Sequence, residues 1–173
     1  RRRGCFSLLR INENQKSQLP CWQRLIDNIR HKSVRKKTGS RIAAIQILYL
    51  HHFNDQSLDN SILTFNKYYK KFLLEKLEIK ELDDNLLHIL LKNFDKKKSS
   101  YDSIIQKHLS NDWKIERLGT NELNILRLSV FELKFLKKYD YKTIINEYVS
   151  LFNNFCGEPD FANGFLNSVL KSD

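Results

Sequence analysis

Proline and glycine are scarce in this chain, with two prolines and five glycines among 173 residues. All-β domains place these residues at many tight turns, so their scarcity argues against a sandwich or barrel and in favour of helices. Cysteine is equally thin. Cys5, Cys21 and Cys156 are odd in number and stand at no metal-ligand or redox spacing, which excludes a disulfide framework and predicts a reducing compartment. The only adjacent histidines, His51 and His52, diverge on a helix and make a poor zinc pair; no metal and no cofactor is expected. No apolar run approaches the ~18 residues a membrane span requires, so a soluble, cytoplasmic protein without membrane contact is predicted.

Acidic residues are missing from one end. Through Arg41 the chain carries 12 Lys and Arg against Glu13 and Asp27 alone, whereas the remainder balances at 18 against 18. The formal charge of +10 therefore belongs to the first quarter. Clustered cations release counterions from a nucleic acid, so a basic arm on a neutral body suits phosphate binding; the plainer alternative is a solvated basic tail. Residues 1–34 are read as a basic extension, arginine-rich and acid-poor like an organellar targeting segment but without a secretory apolar region. Residues 35–173 are read as one helical domain, large enough to bury a core. Gly39 is taken as a break between the cations of 32–37 and the first helix.

Apolar spacing of three and four residues predicts seven helices. They run over Ser40 to Phe53, Ile62 to Lys76, Leu82 to Phe94, Tyr101 to Leu109, Leu123 to Leu136, Ile144 to Phe155 and Phe161 to Leu170. Asp83 and Asp84 are expected as partners of a helix dipole rather than a catalytic dyad, and Ser99 with Asp102 as a capping pair. Thr120 is the expected N-cap of the fifth helix, with Glu122 in its first turn. That helix is apolar on nearly every face and reads as a central rod.

Three blocks then fall in order: SRIAAIQILY (40–49), RLGTNELNILRLSVFEL (117–133) and TIINEYVSLFNNFCGEPDFANGFLNSVL (143–170). Together they resemble the NusB family over about residues 35–170. The resemblance implies an all-α bundle of two three-helix subdomains around a central helix, and a protein without catalytic activity. It also implies a transcription antitermination factor within the elongation complex, which binds boxA-type RNA with ribosomal protein NusE and supports ribosomal RNA transcription. In the family a cationic segment ahead of the first helix touches RNA; the matching positions are Arg35, Lys36, Lys37 and Arg41, with Gln46 one turn on. The partner positions match Tyr49 and Glu122. Thr38 and Gly39 replace further cations of many relatives.

Two other classes fit parts of the pattern: an RNA-recruiting domain cut from a ribosomal RNA cytosine methyltransferase, and a nonspecific basic-arm binder of polyanions. Individual residues also carry structural expectations. Lys36, Lys37 and Arg41 are expected to be exposed and unimportant to folding. Asn146 and Asn163 are expected as buried partners of backbone groups, and Gly164 as a site of close helix approach. Arg127 is expected in an internal ion pair with Glu147 or Glu132, and Trp113 as a core anchor.

Overall fold

The computed structural model describes residues 35–54, 57–92, 94–109 and 114–172. The basic extension 1–34 and Trp113 lie outside them. Among the described residues eight α-helices follow one another: α1 (Lys36–Asn54), α2 (Leu58–Tyr68), α3 (Lys70–Leu77), α4 (Asp84–Lys92), α5 (Lys98–His108), α6 (Thr120–Val130), α7 (Tyr141–Cys156) and α8 (Pro159–Lys171). The all-α expectation holds, with eight helices where seven were expected. The extra one arises because the predicted second helix breaks at Tyr69, whose φ of −118° makes it the end of α2 and the start of α3.

Two helices organise the molecule. α1 packs against α2, α3 and α4; α6 packs against α5, α7 and α8; and α1 and α6 pack on each other. Ile42, Ile45, Ile47 and Leu48 of α1 and Ile125, Leu126, Leu128 and Val130 of α6 are all within about 1% of complete burial and belong to one continuous core. The central-rod reading of α6 is therefore correct, since every residue from Asn124 to Val130 is buried. Beyond Val130 the helix widens to a π-helical turn over Phe131–Leu136 and stops at Lys137, in the left-handed region at φ 45°. Lys137 N–H donates to the Glu132 carbonyl five residues back, 3.1 Å away, which is the bond that defines this wider winding.

Local signals are mostly honoured. The Asp83 carboxylate accepts the Leu86 N–H at 2.9 Å and so caps α4, as its dipole role required. The N-cap of α6 is Gly119, not Thr120, because the Glu122 carboxylate reaches back to the Gly119 N–H at 2.6 Å and fixes the entry there. Asp102 does not cap α5; Arg127 holds it with two hydrogen bonds of 2.6 and 2.8 Å. The internal ion pair of Arg127 is thus present with a different acid. Asn146 and Asn163 are exposed, and an added Cβ at exposed Gly164 would meet nothing within 4 Å, so neither the buried asparagines nor the close approach occurs.

The start of α1 departs most from expectation. Gly39 is a buried interior residue of the helix rather than a break. A Cβ there would lie 2.5 Å from Ile79 Cδ1 and 3.1 Å from Leu82 Cδ2, so glycine lets the α3–α4 connection lie directly on the helix backbone. Ser40 Oγ lies 3.0 Å from the carbonyls of both Lys36 and Asp83 and can donate to one at a time. These tertiary contacts outweigh glycine's poor helix propensity, which amounts to only about 1 kcal/mol.

Candidate nucleic-acid interface

Beneath the expected cationic segment lies a buried polar network. Arg41 projects from α1 and donates from Nε and Nη2 to the two oxygens of Glu132, each at 2.8 Å. Its Nη1 reaches Glu147 of α7 at 3.4 Å. Tyr148 donates its hydroxyl to Glu132 at 2.7 Å, and Thr38 donates to Glu147 at 2.8 Å. Arg41 and Glu132 are 3% and 2% exposed, so the expectation of an exposed cation at Arg41 is corrected. Burial by itself lowers the guanidinium pKa, yet the Glu132 hydrogen bonds and the neighbouring negative charges outweigh it and leave the pKa raised. Burial, reinforced by Glu132, likewise holds the Tyr148 phenol well above its usual range. Tyr148 therefore stays a hydrogen-bond donor and Arg41 a permanent cation. The network pins the first turns of α1 onto α6 and α7 instead of facing solvent.

Outside this anchor the remaining cations are presented to water. Arg35 and Lys36 are exposed and Lys37 is half-buried. Lys36 Nζ lies 3.4 Å from Glu81, with both side chains more than half exposed, a pairing of little energetic weight. Lys37 Nζ sits 4.3 Å from the centre of the Tyr139 ring, a cation–π contact that joins α1 to the segment linking α6 and α7. Lys138 lies over the same ring at 5.7 Å, while exposed Lys142 stands 6.0 Å from the Tyr141 ring. Tyr141 is 46% exposed. Asp140, the acid within this run, is occupied in capping α7 through the Thr143 N–H at 3.1 Å.

Lys37 and Lys138 thus share the Tyr139 ring, with Lys36 next to Lys37 on α1 and Tyr141 and Lys142 just beyond Tyr139 along the chain. The apolar spacing leaves residues 137–143 between two predicted helices, with no role of their own. The signal was there in KKYDYK, where lysines bracket two tyrosines, but only folding brings Tyr139 to the start of α1. Chemically, such a grouping offers point charges to phosphates and flat rings to bases.

Gln46, Tyr49 and Glu122 lie apart from it along α1 and at the start of α6. Gln46 Oε1 is buried and has no hydrogen-bond partner, as are Asn121 Oδ1 and Asn124 Nδ2 of α6. Gln46 as a residue is half-buried and lies nine positions along α1 from Lys37. Tyr49 is half-buried, with its ring 4.4 Å from that of Phe53, and Phe53 is 46% exposed. Glu122 is half-buried and serves the α6 cap. Its charge, after burial itself, helps push the Cys156 thiol at the end of α7 up to about 12. No group of three or more His, Cys, Asp or Glu suited to a metal occurs among the described residues, and no described helix is long and apolar enough to cross a membrane.

The model of the NusB family matches residues 38–172. The chain belongs to the NusB family. Its NusB relatives include the transcription antitermination protein NusB of Clostridium botulinum (strain Loch Maree / Type A3), 30% identical over 137 residues, 76% of this chain and 96% of that protein. Among solved structures, one described as antitermination factors NusB and NusE in complex with dsRNA is similar with a TM-score of 0.62 and 29% identity, covering 81% of this chain and 99% of the other. Another, described as a plectonemic RNA supercoil, matches with a TM-score of 0.63 and 30% identity, over 80% and 96%. The NusB resemblance of the three sequence blocks and the all-α architecture thus agree with these likenesses.

Proposed function

We propose that this protein is a transcription antitermination factor that binds single-stranded, boxA-type RNA together with ribosomal protein NusE, and that it acts by binding rather than catalysis within the cytoplasmic elongation complex. The observation that carries the reading is the Lys37–Tyr139 contact, which joins the start of α1 to the basic, aromatic 137–142 segment. Family membership and the named relatives support it. Arg35, Lys36 and Lys37 meet the RNA backbone, joined by Lys138 and Lys142, while Tyr139 and Tyr141 offer stacking surfaces. Arg41 acts as a positioning residue, holding α1 through Glu132 and Glu147. Tyr49 and Glu122 receive the protein partner.

The test is fluorescence anisotropy with boxA-like and scrambled RNA, with and without NusE. Specific RNA should bind more tightly than scrambled RNA, and NusE should strengthen it. Replacing Lys37, Lys138 and Lys142 together by alanine should flatten the slope of log affinity against log salt by roughly 2, at about 0.7 per single-strand phosphate contact. Glu122→Lys should abolish the NusE effect in a folded protein, through like-charge repulsion at the contact. Equal affinity for both RNAs, unmoved by NusE, would instead support a nonspecific polyanion binder.

A further inference from the structure

A second cationic–aromatic patch lies beside the one just described and is not used by it. Lys96, Lys97 and Lys98 lead into α5 as three consecutive exposed cations, and among the described residues no carboxylate pairs with any of them. Lys97 Nζ lies 4.8 Å from the centre of the Phe135 ring. Phe135 sits on the π-helical turn after α6, is 41% exposed, and is held by an edge contact with buried Tyr101, ring centres 5.6 Å apart. One side of a large apolar ring is therefore anchored on the core while the rest faces solvent beneath an exposed lysine, an arrangement that costs hydrophobic stabilisation unless something covers it.

The wider turn carrying Phe135 ends at the left-handed Lys137 and hands the chain directly to Lys138 and Tyr139. Phe135 and Tyr139 are four positions apart, a span of at most about 14 Å, so one strand can cross both rings. Two acids in this region are already engaged: Asp102 by Arg127 and Asp140 by the α7 cap.

We infer that Phe135 with Lys96, Lys97 and Lys98 forms a second single-stranded RNA subsite, which takes nucleotides flanking the element held at Lys37 and Tyr139. The inference rests on the RNA-binding reading above and extends its footprint. The ring supplies a stacking platform and the three lysines contact the flanking phosphates, so this subsite adds affinity with little sequence preference. An acidic protein segment would use the lysines but gain little from the ring.

The experiment compares two RNAs, the boxA-like element alone and the same element with flanking nucleotides on both sides, against wild-type protein, Phe135→Ala, Phe135→Leu and the triple variant Lys96→Ala, Lys97→Ala, Lys98→Ala. The longer RNA should bind wild type more tightly. Phe135→Leu, which keeps the apolar cover over Tyr101, should lose about five- to a hundredfold in affinity for the longer RNA and leave the short one unchanged. The triple variant should flatten the salt slope by roughly 2 for the longer RNA only. Circular dichroism melts confirm that each variant is folded. Equal binding of the two RNAs by wild type, or no loss for the longer RNA in either Phe135→Leu or the triple variant, would overturn the subsite and leave the Lys37–Tyr139 reading intact. Failure of both RNAs to bind above scrambled sequence would overturn both.

Discussion

Removing the Arg41 guanidinium would leave Glu132 buried with the Tyr148 hydroxyl as its remaining donor and no neutralising cation. A buried carboxylate stripped of its ion partner destabilises a fold by about 3–5 kcal/mol, so Arg41→Ala should lower stability by that amount in urea denaturation. Lys36→Ala, at a position open to water, should stay within about 0.5 kcal/mol of wild type. If the two variants unfolded alike, the network under α1 would not be holding the helix. Cations four and five residues apart thus have opposite roles, one structural and one available to a ligand. Spacing along the chain does not separate them; the acids waiting beneath Arg41, 91 and 106 positions further on, do.

Among the helices, α1 is the one whose position decides the interface, and Gly39 decides how closely it lies on the α3–α4 connection. Gly39→Ala should be nearly neutral, because the Ile79 terminal methyl can turn aside and alanine recovers about 0.5–1 kcal/mol of helix propensity. Gly39→Val adds two further carbons where Ile79 and Leu82 already lie within 3.1 Å of an ideal Cβ, and overpacking of this kind typically destabilises by about 1–3 kcal/mol. Thermal melts of the two variants distinguish the outcomes; a harmless valine would mean that α1 does not rest on residues 79–82. From sequence, a glycine after a run of lysines reads as a break. That reading fails here because close packing, invisible in local propensity, selects the same residue. The split at Tyr69 is similar: the apolar rows run straight through it, and only the backbone shows the helix ending and restarting.

Across the whole molecule α6 is the shared wall, touching α1, α5, α7 and α8. Leu126, 1% exposed, lies in its middle, and truncation to alanine removes transfer free energy and leaves a cavity, at a cost of about 2–5 kcal/mol. Because both halves rest on this helix, Leu126→Ala should unfold in a single transition at lower urea, seen alike by far-ultraviolet circular dichroism and tyrosine fluorescence. Two separated transitions would show that the halves fold independently. The helical class, the apolar faces, the buried rod at 124–130 and the family blocks were legible in the sequence, because each is a periodic or local pattern that burial enforces. The seat of the charge was legible too, as a count. Which cations face outward was not, since that depends on Glu132, Glu147 and Tyr139, distant in sequence and adjacent only in the fold. The same holds for Phe135, which reads as one more apolar residue of a helix although its ring is 41% exposed in the fold. Composition and periodicity determined what this chain folds into; long-range packing and ion pairing decided which of its basic and aromatic side chains remain free to meet another molecule.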